Sequence, residues 1–205
     1  MDPARVRDAY GRRAAEYVEA LGSVEVMADA DRTCIETWAS GLDGRVLDIG
    51  SGPGHWSAHL HERGSLIEGV EPVREFLESA RARFVGVEFR EASVLEMPYD
   101  DGAARGVLAW YSLIHLDPDD VALALASIAR VLAPGGSLLL GFFEGAEVAT
   151  FDHAVATAYF WPITSMTDLL DSAGFAVVGV ECRTDPGGRP QASIIARRHA
   201  DTLAT

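Results

Sequence analysis

The chain has 205 residues, of which 31 are acidic and 17 are basic, so its formal net charge is -14 at pH 7. All 17 basic residues are arginines, and the absence of lysine excludes Schiff-base chemistry and the phosphate-binding lysine of a P-loop. Nucleic acids and anionic membranes bind to basic surfaces. The charge therefore argues against either of them as a partner.

Composition and cysteine usage predict a cytoplasmic globular protein. Apolar residues make up 48% of the chain, which is enough for a sizeable core at this length. The two cysteines, Cys34 and Cys182, are far apart in sequence, which is not the pattern of a disulfide framework. The amino terminus lacks the apolar segment of a signal peptide, and no apolar run reaches transmembrane length. We expect a monomer or a homodimer.

The N-terminal segment predicts a helical cap. Apolar and aromatic residues recur at spacings of three or four over 3–21, which is typical of an amphipathic helix. The residues that share this face are Val6, Tyr10, Ala14, Tyr17 and Leu21. A second helix is predicted over 24–39 and ends near Gly41. We expect residues 1–41 to pack onto residues 42–205 within one structural domain.

From residue 45 onward, apolar strands alternate with amphipathic helices. The predicted strands are 45–49, 66–71, 87–90, 106–111, 137–143, 175–182 and 191–197, and the predicted helices begin near residues 55, 73, 117 and 165. This alternation favours a seven-stranded, mostly parallel α/β sheet of the Rossmann-like type with helices on both faces. The last two strands leave no room for a helix between them, so we expect the last strand to be antiparallel.

Two of these helices carry start or stop signals. Asp117 can cap the first of them, Pro118 suits its first turn, and the glycines at 135–136 predict its end. The second shows Ser165 followed by Asp168, which resembles a capping box. Between these helices and strands, residues 144–162 show no clear periodicity. Long irregular segments in compact domains are often functional.

A glycine-rich turn follows the first strand. Its spacing is G-x-G-x-G over 50–54, whereas a dinucleotide-binding turn reads G-x-G-x-x-G. Asp48 precedes the turn and would repel a phosphate, so the site favours a nucleoside that carries a positive group. Glu71 ends the second strand, where a carboxylate can accept hydrogen bonds from both hydroxyls of a ribose. Both features lie at carboxyl ends of parallel strands, where open α/β sheets bind ligands.

The chain resembles the class I S-adenosylmethionine (SAM)-dependent methyltransferases of small molecules. The segments that carry the resemblance are VLDIGSGPG at 46–54, GVEP at 69–72, VLAWYSLIHL at 107–116 and RVLAPGGSLLL at 130–140. They occur in the order and approximate spacing of that family, over roughly residues 40–197. The resemblance implies SAM as cofactor, S-adenosylhomocysteine (SAH) as its product, and a small-molecule methyl acceptor.

The resemblance also implies residue roles. Asp48 would orient the methionine amino group, and Glu71 would hold the ribose hydroxyls, with Pro72 against the adenine. The loop under the methionine and ribose would comprise Gly50, Ser51, Gly52 and Gly54, and the adenine contacts would come from Ser93, Val94 and Leu95. Tyr10 and Tyr17 resemble a tyrosine pair that many small-molecule methyltransferases fold over the cofactor. Simple packing in the core is the alternative for this pair.

The end of the fourth strand supplies the catalytic candidates. The rings of Trp110 and Tyr111 can attract a sulfonium by about 0.5–2 kcal/mol, unless they are only core aromatics. His115 is the first candidate for a general base, because its unperturbed pKa is near 6.5, and a packing role is the alternative. His153 lies with several aromatic residues in 144–162, which we interpret as a flap on the substrate side.

These features leave three functional hypotheses. The first is an enzyme that methylates a small molecule by in-line displacement, with no metal, since no cluster has metal-ligand spacing. The second is a regulatory or interaction module that binds SAM or SAH without transferring the methyl group. The third is a nucleotide-dependent oxidoreductase, against which the glycine spacing counts.

Overall fold

A computed structural model describes residues 3–200. Residues 1–2 of the predicted cap and residues 201–205 of the predicted segment 42–205 lie outside the described residues. The helices are α1 Pro3–Arg12, α2 Ala14–Leu21, α3 Asp29–Ser40, α4 His55–Glu62, α5 Arg74–Arg83, α6 Pro118–Val131 and α7 Ile163–Ser172. The strands are β1 Val46–Ile49, β2 Ile67–Glu71, β3 Glu88–Glu91, β4 Ala104–Trp110, β5 Leu132–Glu144, β6 Ala149–Asp152, β7 Thr157–Trp161, β8 Phe175–Thr184 and β9 Pro190–Arg198.

The described strands form one sheet that confirms the predicted fold class. Its first five strands run parallel in the order β3-β2-β1-β4-β5. Strand β9 pairs antiparallel with both β5 and β8, as the lack of a helix before it predicted. Two strands exceed the predicted seven. They form the hairpin β6–β7 within 144–162, and β7 pairs with the end of β5.

The N-terminal helices differ from the prediction. The expected helix over 3–21 is divided into α1 and α2 at Arg13, whose φ of -114° and ψ of 11° are not helical. This bend lets Tyr10 and Tyr17 both contact Phe76 of α5, with ring centroids 5.8 and 5.2 Å apart. The helix expected from residue 24 begins only at Asp29, after a single turn of 3-10 helix and two residues in an extended conformation.

The predicted helix signals have mixed outcomes. Asp117 is the N-cap residue of α6 and Pro118 its first helical residue, which confirms the predicted start. The helix ends at Val131, before the expected glycines, because the chain turns into β5 at that point. The prediction that a capping box at Ser165 starts a helix is wrong. Helix α7 begins directly after Pro162, whose φ of -62° and extended ψ make it the N-cap residue.

The strand pleat divides the core into two layers. Leu47 and Ile49 of β1 face the layer that contains α6 and α7, whereas Val46 faces the layer of α3 and α4. The carboxyl ends of β1, β2 and β4 lie beneath α1 and α2. No helix within residues 3–200 is long and apolar enough to cross a membrane.

Candidate active site

A cavity of about 230 Å³ lies at the carboxyl ends of β1, β2 and β4, beneath α1 and α2. It brings together most of the predicted site residues. Those that line it are Tyr17, Gly50, Gly52, Glu71, Pro72, Ser93, Val94, Trp110, Tyr111 and His115. The predicted residues outside its lining are Asp48, Ser51, Gly54, Leu95 and His153.

Two glycines in the loop after β1 have different surroundings. Gly50 packs closely against the protein, whereas Gly52 borders open space. Both Gly50 and Gly52 have positive φ, at 66° and 54°, which other residues rarely adopt. A Cβ on Gly50 would lie 2.4 Å from the Cβ of Ser112, so this glycine allows close packing against the segment after β4. A Cβ on Gly52 would meet no atom within 4 Å. The loop at Gly52 therefore borders open space in the cavity.

Glu71 is fixed by the backbone on both sides. Its Oε2 accepts a hydrogen bond of 2.8 Å from the Gly52 amide, and its Oε1 accepts one of 2.8 Å from the Val73 amide. The carboxyl is buried, and burial raises its pKa to about 7, although the two amide bonds lower the pKa and Asp48 raises it slightly. Each carboxylate oxygen retains a free lone pair that can accept from a ligand hydroxyl.

Asp48 connects the strand before the glycine loop to the helix after it. Its Oδ2 accepts a hydrogen bond of 2.6 Å from the hydroxyl of Ser57 in α4. Burial raises the pKa of Asp48 to about 6, and the Ser57 hydrogen bonds partly oppose this shift. The carboxyl thus fixes both ends of the loop relative to each other.

The backbone adopts a left-handed conformation directly after β4. Tyr111 has a φ of 53° and is the only non-glycine residue with positive φ in the described part of the chain. Trp110 packs on Gly141, where a Cβ would lie 2.8 Å from the indole ring. The Tyr111 ring contacts Phe143 at 5.1 Å, and its hydroxyl donates a hydrogen bond to Gln191. Strained backbone of this kind concentrates at functional sites.

His115 is held between two partners. Its Nε2 lies 2.7 Å from the Tyr10 hydroxyl, and its Nδ1 lies 2.7 Å from the carbonyl oxygen of Thr157 at the start of β7. The ring is 7% exposed, and burial lowers its pKa, although the hydrogen bond with the Thr157 carbonyl raises it. His115 is therefore neutral near pH 7.

His153 lies behind His115, outside the cavity lining. The two imidazole centroids are 5.2 Å apart, and the Phe143 and Phe151 rings also contact His153. Its Nδ1 is buried without a hydrogen-bond partner. Burial, together with the positive charge that His115 and Arg189 can carry nearby, lowers its pKa to about 4.

The cavity also includes residues to which sequence reasoning gave no role in the site. Ser112 follows Tyr111, and its Oγ is buried without a hydrogen-bond partner. Val73 precedes α5, Phe76 lies on α5, and Val6 belongs to the predicted face of α1. The periodicity grouped such apolar residues on shared helix faces, although Leu21, on the same predicted face as Val6, is 40% exposed. It could not show that they face a cavity, because an apolar stripe looks the same against a core or a ligand.

A second cavity of about 430 Å³ lies on the other side of Trp110 and Tyr111. Arg183 of β8 crosses it to Asp31 of α3 with a hydrogen bond of 2.7 Å, and it also donates one of 3.1 Å to Gln191. No group of three or more histidine, cysteine, aspartate or glutamate side chains within residues 3–200 is arranged to hold a metal ion.

The central part of the chain is similar in sequence to known methyltransferases. Residues 46–136 match the family profile described as a methyltransferase domain. An uncharacterized methyltransferase of Mycobacterium tuberculosis is 37% identical over 94 residues, which are 46% of this chain and 37% of that protein. Demethylmenaquinone methyltransferase of Deinococcus radiodurans is 33% identical over 122 residues, 57% of this chain and 49% of the relative. The chain thus spans at most about half the length of these relatives.

Solved structures share the fold over nearly the whole chain. The N1-methyltransferase of 1,6-didemethyltoxoflavin from Burkholderia thailandensis, solved with SAH, has a TM-score of 0.78 and 23% identity, with 97% of this chain and 91% of that chain covered. The cyclase SpnF has a TM-score of 0.80 and 18% identity, with 95% and 96% covered. These likenesses show the fold, and the profile match shows the family of the segment that contains the glycine loop and Glu71. Residues 46–136 therefore match the methyltransferase-domain family, within a fold that the chain shares with S-adenosylmethionine-dependent methyltransferases.

Proposed function

We propose that this protein transfers the methyl group of SAM to a small-molecule acceptor by in-line displacement. The observation that carries the proposal is the buried Glu71 carboxylate, which is fixed by the amides of Gly52 and Val73 at the cavity wall. It lies beside Gly52, where an added Cβ would meet no atom within 4 Å. A carboxylate that accepts hydroxyl hydrogen bonds, beside backbone that a ligand can approach closely, is the pattern that binds a nucleoside ribose.

The residues present fit this cofactor. Glu71 would accept hydrogen bonds from the two ribose hydroxyls, and Pro72, Ser93 and Val94 border the space for the base. Asp48 does not line the cavity, so it would act on the amino group through water or through the position of the loop. The two carboxyls, Asp48 and Glu71, suit a cofactor with positive charge, since their hydrogen-bond partners within residues 3–200 are the neutral groups of Ser57, Gly52 and Val73.

The protein would orient the cofactor and the acceptor, exclude water from the reacting atoms and take up the proton that the acceptor loses. When bound, the cofactor supplies a methyl group on a positively charged sulfur, which is already activated for displacement. Trp110 and Tyr111 present aromatic rings at the cavity wall, where they would attract a cation by about 0.5–2 kcal/mol. Helices α1 and α2 cover the cavity and would exclude water, so that the acceptor is the only nucleophile in reach.

The named activities of the relatives do not indicate one acceptor. The relative from Deinococcus radiodurans is named for methylating demethylmenaquinone and the structure from Burkholderia thailandensis for methylating 1,6-didemethyltoxoflavin, which are chemically unlike acceptors. SpnF is named as a cyclase although it shares the fold, so support for transfer comes from the family profile rather than from the fold. The alternative, a module that binds SAM or SAH without transfer, is not favoured by the family profile or by relatives that are named as methyltransferases.

The proposal is tested by methyl transfer. The protein is incubated with SAM labelled in its methyl group and a bacterial extract of low molecular mass, and labelled products and SAH are quantified together. A methyltransferase labels at least one compound and forms SAH in equal amount, and E71Q loses this activity. Binding of SAM without any labelled product would instead identify a binding module.

A further inference from the structure

The contact between Tyr10 and His115 joins helix α1 to the segment after β4, across 105 residues of sequence. The direction of its hydrogen bond follows from the second partner of the imidazole. The carbonyl of Thr157 can only accept, so Nδ1 of His115 carries the ring proton. Nε2 is then the unprotonated nitrogen, and the Tyr10 hydroxyl donates to it at 2.7 Å.

Both side chains border the space where the methyl acceptor would react. Tyr10 and His115 line the same cavity as Tyr111 and Ser112, at the end of β4. The groups that face the pair from neighbouring elements are Tyr17 of α2, Glu71 of β2, His153 of the β6–β7 hairpin and Arg7 of α1. Of these, only Glu71 can place a negative charge beside the pair.

We infer that Tyr10 and His115 act as a proton-transfer pair, and that the acceptor is therefore a compound whose reacting oxygen or nitrogen carries a proton. The inference rests on the proposed function. It assigns Tyr10 the direct contact with the acceptor, because its hydroxyl occupies the only basic atom of His115 and must mediate any proton transfer to it. A thioether or a tertiary amine would have no proton for this pair to take.

The step balances in atoms and charge. The acceptor atom forms a bond to the methyl carbon as the bond from that carbon to sulfur breaks. The acceptor proton passes to the Tyr10 oxygen while the Tyr10 proton passes to Nε2 of His115. The sulfur loses its positive charge and His115 gains one, so the cavity holds one positive charge before and after. Transfer therefore avoids creating an additional buried charge, which a site with effective dielectric constant well below that of water would penalise.

The pair also links catalysis to closure of the cavity. Tyr10 belongs to α1, and its ring reaches His115 only with α1 in place over the strand ends. Since α1 and α2 also line the cavity, the proton pathway is complete only with α1 over the cavity. Such coupling commits a bound acceptor to reaction and limits side reactions.

Nitrogen-15 NMR of the imidazoles tests the pair without any acceptor. In the wild-type protein we expect His115 to be the Nδ1-protonated tautomer. Y10F keeps the ring contacts but removes the donor that stabilises neutral His115, so the pKa of His115 should rise by about half a unit or more. Y17F is the matched control, since Tyr17 contacts Tyr10 but has no hydrogen bond to His115, and it should leave that pKa unchanged. A pKa of His115 that is unchanged in Y10F would overturn the inferred hydrogen bond from Tyr10 to His115.

The labelled-methyl assay tests the role in transfer. With the compound that the wild-type protein labels, Y10F and H115N should lower kcat by about 10²–10⁴-fold while SAH affinity stays within about twofold. H115N should also lose the acid limb of the pH–rate profile. Wild-type rates and pH profile in Y10F, or a product methylated on a thioether or tertiary amine, would overturn the inference. A wild-type protein that labels nothing contradicts the proposed function instead, and the NMR result then decides only whether the pair exists.

Discussion

The Gly52 amide donates a hydrogen bond of 2.8 Å to Oε2 of Glu71, so the loop after β1 holds the carboxyl that ends β2. The bond joins the two strongest sequence signals of the site, which are 19 residues apart in the chain. It also explains how a carboxyl that is only 4% exposed keeps a fixed direction. The glycine loop and Glu71 therefore form one structural unit.

The first prediction concerns the Glu71 carboxylate. E71Q should weaken SAH binding at pH 8 by at least about tenfold, equivalent to about 1.4 kcal/mol, because an amide offers one accepting atom where the carboxylate offers two. Isothermal titration calorimetry measures the change. E78Q is the control, since Glu78 is exposed on α5 and pairs with Arg74, away from the cavity lining, and it should bind SAH as the wild type does. Equal affinities in E71Q and E78Q would contradict the assignment.

The second prediction concerns pH. Burial raises the pKa of Glu71 to about 7, and ribose hydroxyls bind to the ionised carboxylate, so SAH affinity should fall as the pH falls below 7. From the ionised fractions, affinity should drop about eightfold between pH 7.5 and pH 6.0. E71Q should show little of this dependence over the same interval. Affinity that is constant in the wild type, or that increases on acidification, would exclude Glu71 as the ligand of the hydroxyls.

The third prediction separates ligand binding from backbone strain. Gly52 and Gly64 both have positive φ, and a Cβ on either would meet no atom within 4 Å. G52A and G64A should therefore destabilise the free protein by a similar amount, about 1–2 kcal/mol each, in urea unfolding. Only G52A should lose SAH affinity, because only Gly52 borders the cavity. Equal loss of affinity in both variants would indicate an indirect effect of strain.

The fourth prediction uses the linkage between pKa and stability. Burial raises the pKa of Asp48 in the folded state to about 6, above its ordinary value. Protonated Asp48 therefore contributes to the free energy of unfolding below pH 4, and this contribution is lost as the pH rises through 6. D48N removes the charge but can still accept from Ser57. At pH 8 it should raise the Tm of the free protein by about 5 °C, with little change at pH 4. D43N, at an exposed loop position before β1, is the control and should not change the Tm. A D48N variant that is less stable at pH 8 would contradict this.

Much of the sheet was predictable because β1 and β4 contain short, mostly apolar runs, VLDI at 46–49 and GVLAW at 106–110. Strand patterns that alternate with amphipathic helix patterns indicate a parallel sheet, even where the exact ends of the strands are uncertain from sequence. The β6–β7 hairpin was not predictable in this way. Its strands have only four and five residues, and aromatic residues on both faces of β7 hide the alternation that marks a half-buried strand.

The site was predictable where local backbone determines it and unpredictable where tertiary contacts do. The glycine loop and Glu71 are set by strand ends, which the sequence locates well. The hydrogen bond between Tyr10 and His115 depends on the bend at Arg13 and on the position of Thr157 in the unpredicted hairpin. No spacing in the sequence encodes a contact between residues so far apart.

A crystal structure of the protein with SAH tests the central claim most directly. The account predicts that both ribose hydroxyls lie within hydrogen-bond distance of the Glu71 carboxylate, that the nucleoside lies against Gly52, and that the sulfur faces the region between Tyr111 and His115. SAH bound with its ribose away from Glu71, or with its sulfur directed away from His115, would contradict the account.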